Sequence, residues 1–86
     1  MTVYLVDEPF VGIALAYAAK DDTAQIVLLQ DAVYSSSLIH PSGSVFVVAD
    51  DVARRGLNSR IPPSVHTISY DELVAMMERE RVVNFL

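Results

Sequence analysis

The sequence contains no cysteine and no tryptophan, and only three of its residues are glycine. Without a thiol, the chain cannot form a disulfide framework, a thiolate zinc site or a cysteine nucleophile, and it cannot carry a persulfide. Gly12, Gly43 and Gly56 are too scattered to form the glycine-rich loop that holds a phosphate. The P-loop and Rossmann classes of nucleotide-binding protein are therefore excluded.

Charged residues are also sparse. They make up 20% of the 86 residues, against 52% hydrophobic residues, and the net charge is −5. Residues 1–50 contain a single base, Lys20, while the arginines of the second half are interleaved with acids. Because phosphates would meet an acidic surface, we expect no direct contact with nucleic acid.

Long hydrophobic runs are missing as well. The longest, Phe10–Ala19, has ten residues, whereas a transmembrane helix needs about 20. Asp7 and Glu8 precede this run, where a signal peptide carries positive charge. We therefore expect a cytoplasmic protein without a membrane segment. A chain of this length is also too short for two cores, which predicts a single domain over residues 1–86.

A regular alternation of strand-like and helix-like segments is present. The strand-like runs are Val3–Val6, Gln25–Leu29, Val45–Val48 and Val65–Ile68. The first three are almost continuously apolar, which is typical of parallel strands buried on both faces. The spacing leaves room for the crossover that parallel strands need. This predicts the α/β class: a single three-layer domain with a mainly parallel sheet of four strands and helices on both faces.

Capping signals place helices between these strands. We expect Asp50 to cap a short helix that Gly56 ends with a positive φ. Ser69 and Glu72 have the spacing of a capping box, which starts the last helix. The predicted helical segments are Pro9–Ala19, Asp31–Leu38, Asp50–Arg55 and Ser69–Arg79.

The end of the sequence is unusually apolar. Its hydrophobic side chains are Val82, Val83, Phe85 and Leu86. We expect this tail either to fold back onto the last helix or to pack against another subunit. The tail residues are therefore candidates for an oligomer interface, since apolar patches invite association.

Acidic residues follow the predicted strands, where open α/β sheets bind ligands. One interpretation is a small Mg²⁺-dependent receiver or phosphotransfer domain that uses Asp7, Asp31 and Asp50, since hard oxygen ligands suit Mg²⁺. The alternative, which we favour, is that these carboxylates cap helices. Lys20 lies at the far end of the first helix, which weakens the receiver hypothesis. We therefore expect no metal and no cofactor.

The same edge of the sheet contains our candidate contacts for a partner or ligand. Gln30, Asp31 and Tyr34 follow the second predicted strand, and Arg55 can reach the same edge. These four residues are interpreted as contacts and not as catalysts.

No residue is assigned a catalytic role. The serines at positions 35–37 precede His40 without the glycine pattern of a nucleophile elbow, so this stretch is interpreted as a loop. His66 is interpreted as a strand residue, and the two histidines lack the spacing of a metal site.

Three stretches together resemble the DsrH/TusB family of sulfur-relay subunits. They are Ile26–Val33 (IVLLQDAV), Val47–Leu57 (VVADDVARRGL) and Ile68–Leu73 (ISYDEL). None is specific alone, but their order and spacing cover nearly the whole chain. Ala32 stands where the family usually has glycine.

The resemblance implies a small DsrEFH-like α/β domain acting in the cytoplasm. It implies a complex with DsrE/TusD-like and DsrF/TusC-like subunits that passes persulfide sulfur between carriers. The pathway would be thiolation of the wobble uridine of tRNA, or sulfur oxidation. The sulfur-carrying cysteine of the family lies on the DsrE/TusD-type subunit, and some DsrH members have one of their own. This chain has none, which favours a non-catalytic docking role. The alternative is a stand-alone homodimeric binding protein.

Overall fold

In a computed structural model, residues 2–38 and 44–86 are described, and their strands form one sheet with helices on both faces. The strands are β1 (Thr2–Val6), β2 (Ala24–Leu28), β3 (Ser44–Val48), β4 (His66–Ile68) and β5 (Arg81–Phe85). Their order is β4-β3-β2-β1-β5, and every neighbouring pair is parallel. The predicted α/β class is confirmed, but the sheet has five strands where the sequence predicted four.

Helical segments connect the strands, as expected. They are a 3₁₀ turn (Glu8–Phe10), α1 (Val11–Ala18), a longer 3₁₀ helix (Gln30–Leu38), α2 (Ala49–Arg54) and α3 (Tyr70–Arg79). None of the helices in the described part of the chain is long and apolar enough to cross a membrane.

The helix ends confirm several of the capping predictions. Asp7 caps the 3₁₀ turn, because its Oδ1 accepts a hydrogen bond of 2.7 Å from the backbone N–H of Glu8. Asp31 does not precede the longer 3₁₀ helix but lies in its first turn.

Ser69 and Glu72 form the capping box of α3, each side chain accepting a hydrogen bond of 3.1 Å from the other residue's backbone N–H. Gly56 has a φ of 64°. The prediction for Asp50 is wrong, because the residue that precedes α2 is Val48 and no side chain caps this helix. Asp50 and its neighbour Asp51 lie in the first turn, where the helix dipole favours carboxylates.

The two faces of the sheet are covered unequally. One face packs against α1, α2 and the longer 3₁₀ helix, through residues such as Ala14, Val33 and Val52. In the described chain, the helical residues that pack on the other face are Leu73 and Met76 of α3. Strands lie about 4.8 Å apart, so five of them are wider than a single helix of about 10–12 Å diameter. Part of the sheet beside α3 is therefore left open.

The apolar tail forms the fifth strand. β5 pairs with β1 along its whole length, and the N–H of Asp7 donates to the carbonyl of Phe85 at 3.0 Å. The prediction that the tail folds back onto the last helix is therefore wrong. A short strand-like sequence after a helix can join a sheet edge as readily as it can cover the helix, and the open edge of β1 decides between the two.

Side chains of β5 complete the core on the better-covered face. Val83 and Phe85 are half-buried and pack against that core. The ring of Phe85 lies 6.4 Å from that of Tyr4 and 5.7 Å from that of Tyr17. Such ring pairs add stability beyond the apolar area that they bury. The tail is thus a structural part of the sheet.

Candidate functional site

The candidate site lies where β2 and β3 end, at the carboxyl edge of the sheet. Immediately after β2, Gln30 has a φ of 50°, a left-handed backbone that few residues other than glycine adopt. This turn starts the longer 3₁₀ helix, while α2 starts directly after β3. The two helix starts therefore face each other across neighbouring strands.

Asp51 is the centre of this region. Asp51 is 1% exposed, and a carboxylate is rarely buried to this extent unless it is paired. Its Oδ2 accepts a hydrogen bond of 2.9 Å from the backbone N–H of Gln30 and one of 3.2 Å from the hydroxyl of Tyr70. The first bond holds the left-handed turn, and the second joins the start of α3 to the same point. One carboxylate therefore fixes three segments of the chain.

Arg55 links this buried carboxylate to the surface. Its Nε lies 2.9 Å from Oδ1 of Asp31, and its Nη1 lies 3.6 Å from Oδ1 of Asp51. The same Nη1 donates to the backbone carbonyl of Asp51 at 3.1 Å. The hydrogen bond with Asp31 is the main cause that raises the pKa of Arg55, and the charges of both carboxylates act in the same direction. The guanidinium is therefore held by contacts within the chain.

These residues form what we call the carboxyl-end cluster. Its members are Gln30, Asp31, Asp51, Arg55 and Tyr70. Burial raises the pKa of Tyr70, and the neighbouring charge of Asp51 and their hydrogen bond raise it further. The outer surface of the cluster is accessible, because the Asp31 side chain is 65% exposed and Tyr70 is 42% exposed.

The polar groups at the centre of the cluster are paired within the chain, and the side chains around them are exposed. The buried carboxylate and the guanidinium are satisfied by each other and by the backbone. Among the exposed side chains, the phenols of Tyr34 and Tyr70 belong to a residue type that is enriched at protein interfaces. Within residues 2–38 and 44–86, no three His, Asp or Glu side chains are grouped so that they could hold a metal ion. Asp7, Asp31 and Asp50 thus do not form the site that the Mg²⁺ hypothesis requires.

A comparison with known protein families shows the family to which the chain belongs. A scan matches residues 10–83, most of the chain, to the family described as DsrH like protein. The chain belongs to the DsrH-like family. This membership relates the chain to the subunits of sulfur-relay complexes and confirms the resemblance found in the sequence. A search of curated proteins finds no relative that would narrow the function further.

In this DsrH-like chain, the structure brings together three of the four predicted contact residues. Gln30, Asp31 and Arg55 belong to the carboxyl-end cluster. Tyr34 lies beside it, 54% exposed, at the rim of a shallow cavity of about 140 Å³. Their role as contacts stays a prediction, since the geometry shows accessibility and not a bound partner.

Asp51 and Tyr70 are not among the predicted contact residues. Asp51 and Arg55 are four residues apart, the spacing that places two side chains on one face of a helix. Asp50 and Arg54 have the same spacing, so the pattern does not single out Asp51. Tyr70 follows the fourth predicted strand, at the same edge of the sheet. Nothing in the sequence shows that its hydroxyl reaches Asp51, which is 19 residues away. Its contact depends on how α3 packs.

The predicted interface residues of the tail lie elsewhere. β5 is at the far side of β1, so Val82, Val83, Phe85 and Leu86 are not part of the carboxyl-end cluster. His66 lies in β4, as predicted, with its ring 5.4 Å from that of Phe46. His40 falls outside the described residues.

Proposed function

We propose that this DsrH-like chain is a non-catalytic subunit of a cytoplasmic sulfur-relay complex. The complex passes persulfide sulfur between carriers, for 2-thiolation of the tRNA wobble uridine or for sulfur oxidation. The observation that supports this is the family match over residues 10–83 in a chain without cysteine. A persulfide needs a thiolate as its carrier. The sulfur-carrying step therefore belongs to a DsrE/TusD-like partner.

The carboxyl-end cluster is the docking surface in this proposal. Gln30 and Tyr34 are exposed, and Tyr70 is partly exposed, on a turn that Asp51 holds by hydrogen bonds. A surface fixed in this way loses little conformational freedom when a partner binds, which favours affinity. Tyrosine supplies both apolar area and a hydroxyl, which interfaces use often.

The free edge of β5 is the second contact surface. The carbonyl of Phe85 faces β1, and strand alternation therefore turns the backbone groups of Val82 and Asn84 away from it. The side chains of Val82 and Leu86 are exposed beside them. Val83 and Phe85 are largely taken up by the core, so the accessible interface candidates are Val82 and Leu86.

This edge also supports the alternative function, a stand-alone homodimeric binding protein. An exposed strand edge next to apolar side chains can pair with a second copy of the chain as well as with a related subunit. Exposed Ile13 and Tyr17 on α1 add apolar surface. The two functions differ in their partner and share the same contact surface.

A mass measurement tests the non-catalytic role. The purified chain, incubated with a persulfide donor, keeps its intact mass, because it has no thiol that could accept sulfane sulfur. A DsrE/TusD-like subunit treated in the same way gains about 32 Da, reversed by dithiothreitol. A reversible gain of that size on this chain alone would contradict the proposal.

A binding experiment tests the docking surface. The chain is co-expressed with DsrE/TusD-like and DsrF/TusC-like subunits from its own organism, and the complex is isolated through a tag on one of them. Gln30→Gly with Tyr34→Ala removes two exposed side chains while glycine keeps the left-handed turn. We expect at least tenfold weaker assembly with an unchanged melting temperature.

Two further variants serve as comparisons. Val74→Ala, at an exposed site on α3, is the matched control and leaves assembly unchanged. Val82→Lys tests the β5 edge by placing a charge there. If the chain forms a homodimer that Val82→Lys dissociates, and no complex with the related subunits appears, the stand-alone function replaces the relay function.

A further inference from the structure

A cleft lies on the sparsely covered face of the sheet, along one side of α3. Its volume is about 420 Å³, within the range of small-molecule sites. Phe46, Ile68 and Met76 provide apolar walls, while Gln25, Glu72 and Arg79 provide polar groups. It opens there because α3 is the described helix that packs on this face and is too narrow to cover it.

The cleft contains a polar group without a partner. Oε1 of Gln25 is buried and accepts no hydrogen bond. A buried acceptor left unpaired is destabilising, and most such groups in folded proteins are paired. Gln25 lines the cleft, and the terminal torsion of a glutamine side chain turns easily. A bound molecule with an N–H or O–H group can therefore supply the missing donor.

The charged residues of the cleft are not equivalent. Glu72 accepts a hydrogen bond from the backbone N–H of Ser69 in the capping box, so its carboxylate is engaged. Arg79 is two turns further along α3. Its side chain is exposed, and it makes no ion pair with residues 2–38 or 44–86. The cation at this end of the cleft is available to a ligand.

We propose that this cleft binds a small, flat, largely apolar molecule that carries a hydrogen-bond donor and an anionic group. The apolar part lies against Phe46 and Met76, the donor pairs with Gln25 and the anion pairs with Arg79. The apolar part follows from Phe46 and Met76, the donor from Gln25 and the anion from Arg79.

The cleft and the carboxyl-end cluster use different side chains. Gln25 is the second residue of β2, whereas Gln30 follows the end of that strand. Five residues of extended chain span about 16 Å, so the Gln25 end of the cleft is far from the cluster, while its other end reaches Ile68 and Glu72 near the start of α3. The proposal therefore does not depend on the relay function.

Indole-3-acetate is a suitable probe, because it combines a flat ring, an N–H donor and a carboxylate. Titrated into the isotope-labelled full chain, it shifts the backbone amide signals of Gln25, Phe46, Ala75 and Arg79. For a ligand of this size we expect saturation with a Kd of about 1 mM. 1-Methylindole-3-acetate, which lacks the donor, binds about fivefold more weakly.

Two variants assign the contacts. Arg79→Met weakens binding of indole-3-acetate but leaves binding of uncharged indole unchanged. Gln25→Leu removes the difference between indole-3-acetate and its N-methyl analogue. Arg60→Met is the matched control, since Arg60 lines the shallow cavity near Tyr34, away from this cleft, and it changes neither affinity.

Three results would overturn the proposal. They are shifts that do not saturate, equal binding of the methylated analogue to the unaltered chain, and shifts centred on the exposed Tyr17 or Tyr34. Cleft signals that move with protein concentration in the absence of the probe would assign the cleft to a second copy of the chain. That result would also reject a small-molecule site.

Discussion

The carboxyl-end cluster and the tail strand β5 are both candidate contact surfaces, but they are held in place by different forces. The cluster depends on hydrogen bonds and ion pairs between side chains and backbone groups 19 to 24 residues apart in sequence. β5 depends on backbone pairing with β1 and on the half-buried rings around Phe85. The first surface is positioned by a buried charge, and the second by strand geometry.

This difference has a consequence for substitutions. In the cluster, the residue that positions the surface is buried Asp51, whereas the candidate contacts are exposed residues around it. In β5, half-buried and exposed residues alternate from Val82 to Phe85. If both surfaces bind a partner as proposed, substitutions can separate stability from binding in each. In the cluster the two roles fall on different elements, and in the tail they fall on neighbouring residues.

The largest expected effect is that of Asp51→Ala. The change leaves the N–H of Gln30, the hydroxyl of Tyr70 and part of the Arg55 guanidinium without their acceptor. We expect a loss of about 2–4 kcal/mol in the free energy of unfolding, measured by urea denaturation. Asp50→Ala, one residue earlier and exposed, is the control, and it costs less than about 1 kcal/mol. Equal losses in the two variants would mean that the cluster does not hold the turn.

Phe85→Ala tests the tail and has the next largest effect. The ring is half-buried between Tyr4 and Tyr17, so its removal costs about 2 kcal/mol. Leu86→Ala, at a site that is 55% exposed, costs less than about 0.5 kcal/mol. Thermal unfolding of both variants provides the comparison. A stable Phe85→Ala variant would show that β5 is an added surface and not a structural strand.

The smallest effect concerns pH. Because the pKa of Tyr70 is raised above its ordinary value of 10.0 in the folded chain, the unfolded state loses this proton first. The stabilising contribution is therefore complete below pH 10.0 and is lost as the pH rises through the folded pKa. Tyr70→Phe lowers the free energy of unfolding by about 1 kcal/mol near neutral pH, because the hydrogen bond is lost. It also reduces the further loss of stability that occurs at alkaline pH.

Unfolding curves at about pH 8 and about pH 11 test this prediction. Phenolate absorbance gives an independent check, since no tryptophan overlaps it. Tyr34→Phe, at an exposed phenol beside the cluster, is the control. If Tyr34→Phe and Tyr70→Phe change the alkaline loss equally, the environment of Tyr70 in the cluster is not its cause.

The features that the sequence predicted well are those encoded locally. The β-branched runs of the first three strands predict buried parallel strands, and Ser69 with Glu72 predicts the start of α3. Position in the sheet is not local. Val83, Asn84 and Phe85 have the apolar–polar alternation of a strand. The sequence nevertheless predicts a helix or subunit contact for the tail, because nothing nearby shows that one edge of β1 is open.

The candidate site shows the same limit. Gln30, Asp31 and Arg55 could be placed at the carboxyl edge, because strand ends can be located from the sequence. The burial of Asp51 could not, since Asp50 and Asp51 are chemically identical and differ only in the direction that each faces on α2. The left-handed φ of Gln30 was equally hidden, because glutamine has no preference for it.

The pairing of β5 with β1 also bears on the order of folding. Thr2 pairs with Arg81, so this strand pair closes nearly the full length of the chain, whereas β1 and β2 close a loop of about twenty residues. The entropic cost of closing a loop rises with the length of the loop. An edge strand offsets this cost through pairing with only one neighbouring strand. We therefore expect β5 to join the sheet after β1 and β2 have paired, and to separate early in a partial opening, as we also expect for the three-residue edge strand β4. A partner bound at the β5 edge would slow the separation of β5 from β1, so an assembled complex would open locally more slowly than the free chain.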